Sequence, residues 1–384
     1  MQRRVYLDHA SATPWHPAAL AAAAQASEHL PGDPSRAHGE GRAARDLLES
    51  ARAAVAATLG AATERVAFTS GGTEAVHLAV RGTAAANRTR PKRILSSAVE
   101  HSAVHAAAEA TDHEHVRVAV DREGRMDLDA LDDALRGGAA LVNLQHANHE
   151  VGTLQPVAEA AARCRQAGAL LHVDACQTAG RLPVDLHALG ADLVSLSGAK
   201  FGGGRGIGAL AWSPQARFRA LLTGDEREAR RRSGLEHLPG AAALAETLLQ
   251  SAPNDPAGNA AAERTRCDRL RRRLRALLAA GVEDLEVHGP ATGAAPHIVA
   301  VSALYVEGQA LLAELDRAGF AVHSGSSCAT TSGEPSHVLV AMGALTHGHI
   351  RASVGHGVGE SDVEAFAQAV ADAVGRLRAR VAIR

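Results

Sequence analysis

Short apolar strands alternating with helical segments between residues 64 and 212 constrain the fold more than any other feature of the chain. ERVAFTS (64–70), KRILSSA (92–98), VRVAVD (116–121), ALVNLQHA (140–147), LLHVDA (170–175), DLVSLSG (192–198) and IGALAW (207–212) each read as a strand bounded by polar residues or glycine. Ala-rich segments with helical spacing, such as TEAVHLAVRGTAAAN and PVAEAAARCRQAG, lie between them. Parallel strands need long crossovers and helices supply them, so this order predicts an α/β fold with a mainly parallel sheet covered on both faces. In such sheets ligands bind beyond the C-terminal ends of the strands. The polar residues that close these strands, at Ser70–Thr73, His101, Asn148, Asp174 and Ser197–Lys200, are therefore the first places to look for a site.

The rest of the chain reads differently. SAPNDPAGNA (251–260), rich in Pro, Asn and Gly, is a linker. An Arg-rich helix follows, then strand-like IVAVSAL, AVHSGS and HIRASVG, and a closing helix from Ser361. A chain of 384 residues suits one large domain and one smaller one. The expected division is a large α/β domain over 15–252 and a small α+β domain built from 1–14 and 253–384. The charge run DEREARRR (225–232) reads as a solvated loop or helix end.

Composition narrows the function classes. No apolar run approaches the length of a membrane span, and no apolar stretch follows the two arginines of MQRRVYLDHASATP. A cytoplasmic protein that engages no membrane is expected. Forty basic residues against forty-two acidic ones give a net charge of −2, which does not call for nucleic acid as a partner. The four cysteines (Cys164, Cys176, Cys267, Cys328) include no CxxC pair and are expected to be thiols rather than a disulfide framework. The pairs His101/His105 and His347/His349 have no carboxylate or cysteine completing a set, so no metal is assigned.

Only two lysines, Lys92 and Lys200, stand against a background of arginine. Arginine stays protonated and cannot replace an amine that must form an imine, so a retained lysine is a candidate for chemistry. Lys92 sits in RPKRIL, where a surface role is natural; Lys200 closes a strand and precedes three glycines. Asp174 closes the strand before it. That carboxylate is either a helix cap or a partner for a pyridine nitrogen, and Gln177, three residues on, can hydrogen-bond what Asp174 orients. TSGGTEAV joins a strand to a helix, so Gly71, Gly72 and Thr73 offer amides and a hydroxyl where phosphate is favoured. Such turns also occur without a ligand. Cys328 lies in HSGSSCATTSGEPSH, a Gly/Ser-rich stretch suited to an accessible thiolate, whereas Cys164 and Cys267 fall in helical patterns.

YLDHASATP, GDPSRAHGEG, FTSGGTEAV, the EH of VEHSAV, HANHEVGTLQP, HVDACQTAGRLPVDL, SLSGAKFGGGRGIGAL, RRSG, SGSSCATTSGEPSHVL and IRASVG follow one another nearly end to end. In these blocks the chain resembles the cysteine desulfurases of the iron–sulfur-cluster and nitrogen-fixation type, within the fold-type I pyridoxal 5'-phosphate (PLP) enzymes. The resemblance implies that Lys200 holds PLP covalently and moves the Cα proton, and that His101 lies against the ring and assists proton transfer. Asp174 pairs with the ring nitrogen and Gln177 with the ring hydroxyl, while Gly72, Thr73 and Ser197 bind the phosphate. Arg351 grips the carboxylate of L-cysteine with Asn148 nearby, and Cys328 takes the sulfur. A homodimer and a protein sulfur acceptor are also implied. The chain departs from the family at Ala199, where it has His before the lysine, and at Leu235, where it has Thr after RSG; both lost groups bind phosphate. His149 and Asp33 replace asparagines. A PLP-dependent C–S or selenocysteine lyase, which would not need Cys328, and a retired enzyme serving as a scaffold are the competing readings.

Overall fold

The computed structural model describes residues 4–87, 89–251, 259–324 and 335–382. A two-residue strand, β1 (Val5–Tyr6), precedes the main sheet. That sheet comprises β2 (Val66–Thr69), β3 (Arg93–Ser97), β4 (Glu114–Val118), β5 (Leu141–Gln145), β6 (Leu170–Asp174), β7 (Leu193–Ser197) and β8 (Gly208–Trp212). Their order is β2-β8-β7-β6-β5-β3-β4, and β8 alone runs antiparallel to its neighbours. All seven expected strands are present. The β4 strand is displaced toward Glu114 because the chain turns early: the Asp121 carboxylate accepts the amides of Glu123 and Arg125, and Val120 bridges Met126 instead.

The strands β5 to β8 are buried along their whole length, which is why they read as unbroken apolar runs. Alternate residues face opposite layers. Leu95, Val142, Leu171 and Val194 pack with residues of helices Gly39–Leu59 and Val157–Ala167. Ile94, Leu141, Leu170 and Leu193 pack with helices Gly72–Ala86 and Ser102–Glu109.

A second core surrounds an antiparallel sheet of β9 (Leu285–His288), β10 (Ile298–Ala303) and β12 (His349–Ser353), with β10 in the middle; β11 (Phe320–Ala321) pairs in parallel with β1. Leu7, Leu274, Val301, Ile350 and Phe366 belong to this core, with helices Asn259–Gly281 and Glu360–Ala382 over it. The half-exposed edge strand β9 has no apolar run to announce it. No helix among the described residues is long and apolar enough to cross a membrane.

DEREARRR is solvated only in part. Glu228 is 6% exposed, and its carboxylate takes both terminal nitrogens of Arg52 (2.6 and 3.0 Å) and the amide of Phe68 at 2.8 Å. Arg227 bridges Asp33 and Glu236 at 2.8 and 2.5 Å. Arg227 and Glu228 thus hold the middle of the segment against the protein, while Glu226 and Arg230 stay exposed and pair with each other.

Candidate active site

Three strand ends and the second sheet converge on one cavity of about 210 Å³, room for a small organic molecule. β6 ends in Asp174, and β7 ends in Ser197 before a single turn, Gly198–Lys200, delivers the lysine. After β2 the chain enters helix Gly72–Ala86 with no side chain capping it, so its first amides are left for a ligand. Arg351 comes from the middle of β12. Gly72, Thr73, His101, Asp174, Gln177, Ser197, Lys200 and Arg351 all line the cavity.

A Cβ at Gly72 would lie 2.6 Å from Cys176 Sγ and 3.0 Å from Ser197 Cβ, so the helix start can pack this closely only as glycine. Lys200 Nζ donates to the carbonyls of Ala10 and Ser11 at 3.1 and 2.8 Å. Burial lowers its pKa and Arg351 adds to the effect, against Cys176, Asp174 and Asp8. The amine thus reaches its neutral, nucleophilic form more readily than a surface lysine. One Asp174 oxygen accepts the Cys176 amide at 2.9 Å. Gln177 donates to Ala10 O at 2.9 Å and meets His297 at 3.2 Å, which fixes its amide.

His101 caps helix Ser102–Glu109: its Nδ1 accepts the Ala103 amide at 3.1 Å, so Nε2 carries the proton of the neutral ring. Burial lowers its pKa while Asp174 opposes. Arg351 donates to His149 O at 2.7 Å, Ser11 Oγ at 2.7 Å and Asp8 Oδ1 at 3.1 Å. Its buried Nε has no hydrogen-bond partner among the described residues.

Asn148 does not line the cavity. Its oxygen accepts the amides of Glu150 and Val151 at 2.8 Å, and its nitrogen donates to Val99 O at 3.0 Å, so it shapes the turn after β5. The next residue, His149, lines the cavity instead, with Ser11, Gln145, Cys176 and His323. Gln145, which closes β5, and His149 just beyond it could have been found as strand-end polar residues; Ser11, Cys176 and His323 carry no such signal. Cys328 lies outside the described residues. On the near side of it His323 lines the cavity, and on the far side Ser336 donates its hydroxyl to buried Glu150 at 2.5 Å. Ala199 and Leu235 do not line the cavity.

The profile of the class-V aminotransferases matches residues 5–366. The chain is 36% identical over 362 residues to cysteine desulfurase IscS of Dictyoglomus turgidum, covering 92% of this chain and 90% of that one. It is 37% identical to a cysteine desulfurase of Cereibacter sphaeroides, with 98% and 97% covered. Among solved structures, a NifS-like protein from Rickettsia africae superposes with a TM-score of 0.86 at 27% identity, over 97% of this chain and all of the other.

Proposed function

From the premise that the chain belongs to the class-V aminotransferase family, we propose that it is a PLP-dependent cysteine desulfurase that converts L-cysteine to L-alanine and takes the sulfur onto Cys328. The observation that carries this reading is the convergence of Lys200, Asp174 and Arg351, from separate strands and two sheets, on one cavity.

The residues present fit the cofactor. The uncapped helix start beside Gly72 and Thr73 suits a phosphate, with Ser197 facing it across the cavity wall. Asp174 offers a carboxylate to a pyridine nitrogen, Gln177 an anchored amide to the ring hydroxyl, and Lys200 a buried amine for the covalent link. Bound PLP supplies an electron sink for charge generated at the substrate's Cα.

The chain's own residues do the rest. Arg351 holds the α-carboxylate of cysteine as a cationic fork by exchanging its bonds to Ser11 and Asp8 for the substrate. Lys200 moves the Cα proton, and His101 holds or releases one at Nε2. The Cys328 thiolate attacks the substrate sulfur: the S–S bond forms and the Cβ–S bond breaks. Its electron pair stays on carbon, which takes a proton and leaves as alanine, with the enzyme persulfide behind. A protein acceptor then collects that sulfur. A homodimer belongs to the same reading; Leu222 and Leu235, 47% and 65% exposed, provide apolar surface for it.

Two measurements test the proposal. Wild-type protein with PLP is expected to show a visible absorbance band that Lys200→Ala lacks, and alanine formation from L-cysteine that Cys328→Ser lacks. A band with alanine or pyruvate formed independently of Cys328 would identify a lyase. A protein that never takes up PLP would refute the enzyme altogether.

A further inference from the structure

Five histidines stand in line from the cavity to the protein surface. His101 and His149 line the cavity with ring centroids 5.0 Å apart. From His149 the line continues to His337 at 6.4 Å, then to His105 at 5.6 Å and His115 at 5.5 Å. At the outer end His115 Nδ1 lies 3.7 Å from the carboxylate of Glu109, whose side chain is 54% exposed. Separate elements bring the rings together: the turn after β5 carries His149, helix His337–Met342 begins with His337, helix Ser102–Glu109 carries His105, and β4 carries His115.

Several polar atoms along this line are unfinished, although His337 Nε2 donates to the carbonyl of Glu100 at 2.8 Å. Both nitrogens of His105, Nε2 of His115 and Nε2 of His149 are buried without a hydrogen-bond partner among the described residues. Folded interiors satisfy such groups with ordered water. Metal does not answer the need: among the described residues no three His, Cys, Asp or Glu side chains converge so as to hold an ion. The rings follow one another rather than surround a centre.

Burial keeps the line neutral. It pushes His105 down to about 3, with Arg117 and the neighbouring histidines adding to the effect, and it lowers His115, His337 and His149 as well. The carboxyls nearby, Glu100 and Glu150, are themselves raised by burial. A neutral imidazole offers one N–H and one lone pair, so a hydrated row can pass a proton along without keeping its charge.

We infer that this row is a proton relay joining His101 to bulk water, an inference that rests on His101 moving a proton during cysteine turnover. Each hop breaks one N–H bond and forms the next, and His337 must release its bond to Glu100 O to pass its Nε2 proton on. A proton that enters at His115 is matched by one released at the cavity, and the row resets when the tautomers revert.

His105 sits mid-row and does not line the cavity, so His105→Leu cuts the relay without touching the substrate. Alanine formation by the holoenzyme is followed at fixed pH and ionic strength as imidazole is added. Wild type is expected to be indifferent to imidazole. The variant is expected to fall by roughly tenfold at low imidazole, short of the 10²–10⁴ carried by a positioned acid–base group, and to recover as the free base substitutes for the missing ring. His105→Gln, which fills the space but takes up no proton, is expected to behave alike. A deficit that imidazole does not restore, or no deficit in either variant, overturns the relay. A crystal structure provides an independent check, with ordered waters expected against the buried nitrogens of His105 and His149; a dry row overturns the inference. Absence of alanine with wild type would instead strike at the desulfurase reading, so the two failures are distinguishable.

Discussion

Glu150 lies fully buried between His149 and Ser336, and burial raises its carboxyl from 4.5 to about 7, with Ser336 and Arg351 pulling the other way. A carboxyl whose folded pKa exceeds its unfolded one contributes stability that is complete below pH 4.5 and is lost as the pH climbs to about 7. At about 1.4 kcal/mol per pH unit, the loss is on the order of 3 kcal/mol. Glu150→Gln removes that titration, so its stability relative to wild type is expected to improve from pH 5 to pH 8 in urea unfolding. Parallel curves at the two pH values would contradict the assignment. Gly72→Ala is expected to lower the unfolding midpoint through an overpacking cost of about 1–3 kcal/mol. Cys176→Gly, which removes the sulfur 2.6 Å from the added carbon, should restore part of it. Arg351→Lys keeps the charge and loses the fork; KM for cysteine is expected to rise by roughly tenfold to a hundredfold in steady-state alanine formation.

At the scale of elements, the segment around Glu228 stores strain. Glu228, Ala229 and Arg230 have φ of 47°, 51° and 63°, left-handed conformations that non-glycine residues seldom adopt. Ala229→Gly should stabilise the protein by about 1 kcal/mol in urea unfolding, the cost of placing a Cβ there. Arg52→Ala strands the Glu228 carboxylate and should cost about 3–5 kcal/mol. This segment shows where sequence reading ran out. A run of charges reads as solvated because composition carries no information about partners, and Arg52 lies 176 positions from Glu228. The buried strands of the main sheet were legible for the opposite reason: each declares its two covered faces by an apolar run of its own.

For the whole molecule, legibility depended on where a residue's neighbours come from. Asp174 and Lys200 close adjacent strands of a parallel sheet, and topology alone directs attention to them. Arg351 belongs to the other sheet, and only the resemblance to a known family brought it to the site. The carbonyls of Ala10 and Ser11 that receive the lysine amine are main-chain atoms without a signature, and no sequence pattern pointed to them. These carbonyls also set an order of events. Residues 5–12 reach the Lys200 turn, but they are held there by β11 and β12: Val5 pairs with Phe320, and the Ala10 amide rests on Ser353 Oγ, 343 positions later. During synthesis this segment leaves the ribosome long before its anchors exist. Its bonds to Gln177 and Lys200 can form half-way through translation, but the pairings with β11 and β12 must wait, so the cavity is complete only after β12 has emerged. If the proposed cofactor binds here, its capture belongs to the finished polypeptide, and a nascent chain stalled before Ser353 should emerge without it.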